Sequence, residues 1–340
     1  MPDESALLPF RIGEVSIIED WPMFGLCADV RDFLARARMQ GEPVVLVTLI
    51  AAKGGGPRLP GAQMAVTAND LCGYLSGGCI EADVALHARG CLEDGRSRRL
   101  IYGEGSPYFD IQLLCGKRIE LFLERLAPDD VALGRLLALT EARRRALWLS
   151  DGQRRTCVAA GEAMPENWRF ADLSDEAGEG RDGIYVRYRP MARLFVHGRD
   201  PAALAMAILG AQAGFETTLV RRDGPPTPPP IAGIAYRRDA PEADAFDDRT
   251  AVVVANHDPE TDHDALMTAL ASKAGYIGLL GARAHLDARQ AKLVSAGVAP
   301  KALARLKAPV GLPLNSHTPW EIAVSVIAEV MQTFNVPRRD

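Results

Sequence analysis

Nine consecutive residues, Val44 to Ala52, read VVLVTLIAA, with Thr48 as the one polar position among them. A run this apolar and this rich in β-branched side chains predicts a strand buried on both faces. Upstream, Leu26, Val30, Phe33, Leu34 and Ala37 recur at helical spacing and predict a helix over 26–40, stopped by Gly41. Downstream, a strand is expected at 63–67. Ile80, Val84 and Ala88 then recur every four residues, so 79–90 reads as a helix ended by Gly90. Strand patterns at 97–102 and 117–124 close an N-terminal α/β domain over residues 1–126.

Between 127 and 191 the periodicities weaken. A helix at 129–145 precedes strand-like pieces at 146–149 and 156–159 and an acidic loop, DLSDEAGEGRDG, so this stretch reads as a linker region with some secondary structure. A new pattern occupies 192–340. RLFVHG predicts a strand entering a turn, PAALAMAILGAQAG a helix of small residues, and ETTLV at 216–220 the next strand. That βαβ order opens a Rossmann-like, doubly wound parallel sheet. GPPTPPP at 224–230 is a stiff extended connection. Strands at 250–255 and 275–280 flank a helix at 262–272, and a long amphipathic helix covers 319–333, with Thr318, Pro319 and Glu321 placed as a capping box. The fold class expected is α/β: an N-terminal α/β domain plus a C-terminal Rossmann-like domain.

Length agrees, since 340 residues suffice for two domains with separate cores. No apolar run approaches the roughly 18 residues of a membrane span, and MPDESALLPF lacks the basic start of a secretory signal, so no membrane partner and a cytoplasmic location are expected. Six cysteines without a CxxC pair predict reduced thiols rather than a disulfide scaffold. A net charge of −5 argues against a general nucleic-acid binder. The apolar C-terminal helix raises the expectation of a homodimer.

The chemistry concentrates in a few stretches. In SGGCIE, Gly77 and Gly78 can take positive φ and turn their amides toward one anion, while Cys79, at a helix start, gains a favoured thiolate. Glu81 suits the same helix end but opposes a neighbouring thiolate. Cys79 is therefore open to two readings, a reactive or ligating thiol or a small buried hydrophobe. Cys115 sits beside Lys117, which can lower its pKa; Cys27, Cys72, Cys91 and Cys157 read as packing residues. The loop Lys53-Gly-Gly-Gly-Pro-Arg58 lacks the order of a P-loop, leaving either an anion grip through Lys53 and Arg58 or a tight surface turn.

In the second domain the dinucleotide fingerprint falls on Gly198, Asp200 and Ala203, with an acid where the middle glycine belongs. Arg221, at the end of the second strand, replaces the usual ribose-binding acid and suits a 2′-phosphate, which favours NADP over NAD. His257 and Asp262 follow a strand at the ligand-binding edge, and His257 is open to three readings, a proton carrier, a metal ligand or a hydrogen-bonded structural residue. Arg283 can grip an anion.

The ordered set GGPRLPGAQM, SGGCIE, CGKRIELFLE, RLFVHG, ANHDPETD, YIGLLGAR, APVGLPL and TPWEIAVSVIAE resembles the XdhC/CoxI family, accessory proteins of molybdenum hydroxylases such as xanthine dehydrogenase. The resemblance covers most of the chain. It implies a maturation factor that binds molybdenum cofactor (molybdopterin), supports its sulfuration with a cysteine desulfurase, and inserts it into the apo-enzyme of a molybdenum hydroxylase. On that resemblance Cys79 and Cys115 hold the molybdenum or relay sulfur, and Gly77, Gly78, Arg58 and Glu81 line the cofactor. The chain departs from the family where GRDP stands for GAGH and CGK for CGG. Two rivals stand beside this reading: an NADP-dependent oxidoreductase using Arg221 and His257, and a scaffold that only docks desulfurase to client.

Overall fold

The chain divides into two compact units, Met1–Pro190 and Met191–Asp340. The computed structural model describes residues 22–56, 58–107, 117–225, 227, 229–256, 259–281 and 283–335. In the first unit the elements run α1 (Arg31–Met39), β1 (Val44–Lys53), β2 (Gln63–Val66), β3 (Leu71–Gly73), α2 (Glu81–Asp94), β4 (Arg98–Gly103), β5 (Arg118–Leu126) and α3 (Val131–Glu141). Four more strands follow: β6 (Ala146–Ser150), β7 (Arg155–Ala159), β8 (Ala177–Gly180) and β9 (Gly183–Tyr188). The first five strands make an antiparallel sheet ordered β3-β2-β1-β5-β4, and the last four a second antiparallel sheet, β7-β6-β9-β8.

Every residue of β1 from Val44 to Ile50 is buried, as its unbroken apolar run requires. Its two faces serve two cores. Val45, Val47 and Leu49 pack with Val84, Ala85 and Ala88 of α2. Val44, Leu46 and Ile50 pack with Leu34 of α1, Leu133 of α3, and Trp148 and Ile184 of the second sheet. The stretch expected as a linker thus supplies about half of the second of these cores. Buried polar bonds reinforce the join: Tyr188 donates to Gln63 Oε1 at 2.9 Å, and Glu124 accepts from Trp148 Nε1 at 2.9 Å and faces Arg155 at 3.0 Å. Burial raises the Glu124 pKa, with Arg155 acting against it.

Helix α2 begins at Glu81 and runs past the expected stop to Gly95, whose φ of +72° ends it. Gly90 lies inside the helix, where a Cβ would meet Arg98 Nη1 at 2.5 Å, and that guanidinium donates to the His87 carbonyl. The expected 26–40 helix starts only at Arg31, after a short 3₁₀ turn at Met23–Leu26.

The second unit runs β10 (Arg193–Gly198), α4 (Pro201–Gln212), β11 (Glu216–Val220), β12 (Ile234–Arg237), β13 (Thr250–Ala255) and α5 (Pro259–Ala271). It continues with β14 (Tyr276–Leu279), α6 (Arg283–Ser295), α7 (Pro300–Leu303), β15 (Leu306–Lys307) and α8 (Pro319–Asn335). All six strands are parallel in the order β12-β11-β10-β13-β14-β15. Counted within the unit this is 3-2-1-4-5-6, the Rossmann order, with the switch point between β10 and β13. Leu194 and Val196 of β10 pack with α4 and α8, whereas Phe195, Val252 and Val254 pack with Ala265 and Leu266 of α5. The capping box of α8 forms as expected, with the Glu321 carboxylate accepting from the His317 and Thr318 amides at 2.8 and 2.9 Å. Among the described residues no helix is long and apolar enough to cross a membrane.

Candidate functional site

The registers of the five-stranded sheet carry the ends of β1, β3 and β4 and the starts of β2 and β5 to one side. That side holds three of the stretches singled out in the sequence: the loop after Lys53, the SGGCIE turn after β3, and the approach to β5. Lys117 donates its amide to the Lys53 carbonyl at 2.9 Å, and a Cβ on Gly54 would meet Lys117 Cγ at 2.7 Å. Arg58 lies over the Tyr74 ring, 4.6 Å from its centroid, which ties the first loop to the residues leading into SGGCIE. Cys115 and its neighbour Gly116 lie outside the described residues.

Within SGGCIE the backbone turns at Gly77 and Gly78, with φ of +91° and +111° and nothing within 4 Å of where either Cβ would stand. The glycines are needed for the dihedrals, not for room. The concavity they make is filled from inside the chain. Glu81, 1% exposed, turns its carboxylate back so that Oε1 accepts from the amides of Leu75 (2.9 Å) and Ser76 (2.7 Å). Its Oε2 accepts from the Ser76 hydroxyl (2.9 Å) and the amides of Gly78 (2.9 Å) and Ile80 (3.2 Å). Burial pushes the Glu81 pKa up, but the hydrogen bonds from Ser76 and Leu75 outweigh it and hold the carboxyl below its ordinary value. The anion expected at this turn is therefore Glu81 itself. Cys79 is exposed, and its amide is taken by Ser76 Oγ at 3.2 Å. The bland reading of Cys79 as a buried hydrophobe does not apply.

Sequence reasoning passed over two further thiols. Cys27 packs against the cluster that holds the buried Cys72, and its Sγ donates to the Asp29 carbonyl at 3.0 Å; the neighbouring Cys72 thiol lowers the Cys27 pKa to about 7, while that of Cys72 is raised. No spacing rule links residues so far apart in the chain, and only the packing of the 3₁₀ turn against β3 brings them together.

In the second unit Gly198 serves close packing. A Cβ there would meet Ala203 Cβ at 2.4 Å and the Ala255 carbonyl oxygen at 3.0 Å, as the first and third fingerprint positions require. Asp200 is the N-cap of α4, accepting from the Ala203 amide at 2.7 Å, with Pro201 following at N1. A carboxylate therefore stands where a diphosphate would meet the helix end. Arg221 lies just past β11, its amide bonded to the Arg237 carbonyl at 2.8 Å. Asp262 is a clamp: its Oδ1 accepts from the Asn256 amide at 3.2 Å and its Oδ2 faces Arg289 at 3.0 Å. His257 lies outside the described residues, as does the side chain of Arg283. His197, hidden in an apolar run, is 5% exposed; burial lowers its pKa to about 4, so the imidazole is neutral. Among the described residues no three His, Cys, Asp or Glu side chains gather as a metal site.

Residues 37–103 match the XdhC and CoxI family, and residues 194–330 match the XdhC Rossmann domain. The molybdenum cofactor insertion chaperone PaoD of Escherichia coli is 33% identical over 299 residues, covering 88% of this chain and 86% of that protein. A Bacillus subtilis protein described as a probable xanthine dehydrogenase component is 26% identical over 342 residues, covering 86% and 93% respectively. A crystal structure described as a xanthine dehydrogenase from Bacillus halodurans superposes with a TM-score of 0.69 at 21% identity, covering 91% of this chain and 96% of that one, a likeness of fold. The chain belongs to the XdhC and CoxI family.

Proposed function

We propose that this protein is a maturation factor that takes up molybdenum cofactor as cargo, supports its sulfuration, and inserts it into the apo-form of a molybdenum hydroxylase. The observation that carries the reading is the 33% identity to a molybdenum cofactor insertion chaperone along 88% of the chain. The first unit supports a location for the cargo. Cys79 is an exposed thiol on a turn in which the amides of Ser76, Gly78, Cys79 and Ile80 already bond to Glu81 or Ser76, so the turn is braced from within the chain. A thiolate is a soft ligand of the kind that suits molybdenum and sulfur transfer. Cys79, with Cys115, is the assigned point of contact, and Arg58 beside Tyr74 is the assigned contact for the cargo's anionic groups. A cysteine desulfurase is the sulfur donor in this reading.

An oxidoreductase reading is disfavoured, because Asp200 closes the helix end that a dinucleotide diphosphate uses. The test is release of molybdopterin from protein purified out of a host that makes it, comparing the wild type with Cys79→Ala and Cys115→Ala. The expected outcome is bound cofactor in the wild type and loss of most of it in either variant. Cofactor retained by both variants overturns the thiol site, and wild-type protein free of cofactor that instead transfers hydride from NADPH overturns the maturation reading.

A further inference from the structure

The chain around Cys27 runs alongside the end of β3, and two close approaches fix the alignment. A Cβ on Gly25 would stand 3.7 Å from Tyr74 Cβ, and a Cβ on Gly73 would meet Val30 Cγ1 at 2.9 Å. Cys27 lies between Gly25 and Val30, and Cys72 directly precedes Gly73. The 3₁₀ turn Met23–Leu26 packs on β3, and Cys27 packs against the apolar cluster that contains Cys72. The fold of the first unit thus brings together two thiols that the sequence keeps far apart. Neither takes part in the cofactor reading above, where the assigned thiols are Cys79 and Cys115.

The two thiols are unlike. Cys27 is half-buried, with its Sγ donating to the Asp29 carbonyl at 3.0 Å, whereas Cys72 is 7% exposed. The neighbouring Cys72 thiol lowers the Cys27 pKa to about 7, while burial and the charges of Asp29 and Asp32 act against it. Near neutral pH much of Cys27 is therefore thiolate, the nucleophilic form, and a thiol whose pKa lies near the ambient pH attacks disulfides best. Cys72 is held protonated, by Cys27 first and by burial second. Other buried thiols lack such a neighbour: burial raises the pKa of Cys91 and pushes that of Cys157 up to about 12. A reachable nucleophile beside a shielded second thiol is the arrangement of an attacking and a resolving cysteine.

We infer that Cys27 and Cys72 are a reversible redox modification site, closed into an intramolecular disulfide by exchange with a low-molecular-weight disulfide. In the first step the Cys27 thiolate attacks one sulfur of the small disulfide. That S–S bond breaks, one small thiolate leaves and takes a proton from water, and Cys27 carries the other half as a mixed disulfide. The negative charge on Cys27 is then gone, and with it two of the causes that keep Cys72 protonated. Cys72 gives up its proton to solvent and attacks Cys27 Sγ, and the second small thiolate leaves and is protonated. The two cysteines are oxidised by two electrons, and one small disulfide is reduced to two thiols. The bond ties the 3₁₀ turn to the strand that continues through Tyr74, under Arg58, to Leu75 and Ser76, whose amides Glu81 holds.

The test is mass spectrometry of the full, reduced chain after incubation with oxidised glutathione at neutral pH, digested without reductant. The expected product is a peptide pair linked through Cys27 and Cys72, separated again by dithiothreitol. Cys72→Ala should stop at the first step with glutathione on Cys27, and Cys27→Ser should leave Cys72 unmodified. Cys72→Ala should also slow alkylation of Cys27 by iodoacetamide at neutral pH severalfold, because the neighbour that acidifies it is gone, an effect that a packing role alone would not produce. The wild-type chain is enough to overturn the inference. It fails if Cys27 keeps glutathione without linking to Cys72, if Cys27 links to another cysteine instead, or if Cys27 reacts no faster than Cys91 and Cys157. Glutathione found on Cys72 in Cys27→Ser overturns the order of attack.

Discussion

Two glycine turns lead into helices in this molecule, and in each a carboxylate of the chain closes the helix end. At SGGCIE the carboxylate comes from the first residue of α2 and reaches backward, where Glu81 accepts five hydrogen bonds from four residues. At the β10–α4 turn it comes from the residue before the helix and reaches forward, where Asp200 accepts from the Ala203 amide. The first turn is thus satisfied from within and presents Cys79 to solvent. The second secures only its helix, and leaves a buried arginine nitrogen beside it with no partner among the described residues. Glycines before a helix do not in themselves make an anion site, because what decides is how many of the turn's donors the chain has already used.

Removing each carboxylate should separate the two turns most widely. Glu81→Ala strands several buried donors at once, and the expected loss is about 3 kcal/mol or more in urea denaturation. Asp200→Ala removes an ordinary N-cap and should cost about 1 kcal/mol. Equal losses would mean that Glu81 acts as a simple helix-terminal charge. Glu81→Gln sharpens the point. It keeps the shape but turns an N–H₂ toward amides that need an acceptor, so it should recover little of the loss.

The glycines give the next largest contrast. Gly198→Ala drives a Cβ to within 2.4 Å of Ala203 Cβ, against backbone on the other side, and overpacking of this kind costs about 1–3 kcal/mol. Gly78→Ala meets open space but must hold φ near +111°, a conformation costing an alanine about 1–2 kcal/mol. The two should also differ in where they act. Thermal melts should record the first as a loss across the Rossmann unit. The second should appear as faster alkylation of Cys79 by iodoacetamide, with a smaller change in melting temperature.

Much of the second unit was legible in the sequence, because parallel strands buried on both faces are written as apolar runs: RLFVHG and TAVVVA are β10 and β13. The strand IAYR was not legible, since it lies at the sheet edge with alternate residues exposed. The second sheet of the first unit was legible in part: the strand-like pieces at 146–149 and 156–159 are β6 and β7, while β8 was hidden for a related reason. The strand AGEG at 177–180 has no apolar run and owes its place to pairing with β9. At the site, SGGCIE revealed the positive-φ glycines and the thiol but not the backward reach of Glu81. The spacing from Ser76 to Glu81 is five residues and matches no capping box. The cap at Asp200 was legible in principle, because an acid followed by proline is an N-cap and N1 signature, and the dinucleotide fingerprint drew attention away from it.

The smallest effect expected concerns pH, and it sets the SGGCIE turn against the rest of its unit. The Glu81 carboxyl is held below its ordinary pKa by its hydrogen bonds, so the folded state binds fewer protons there than the unfolded chain does. Its contribution is complete above the ordinary glutamate value of about 4.3, declines as pH falls below that value, and is lost once pH passes the folded-state pKa. A neutral carboxyl accepts less well and gains a proton that no neighbouring amide can receive. Hydrogen exchange of the Gly78 and Ile80 amides, corrected for intrinsic rate, should therefore show protection that holds from pH 7 to 5 and weakens severalfold on going to pH 3.5. Amides of β1 in the same unit, buried in an apolar run, should keep theirs over that range. In Glu81→Gln the turn should be weakly protected at every pH, with no step. Protection at Gly78 and Ile80 that follows β1 through the acid range would show that the turn is held by packing and not by the Glu81 charge.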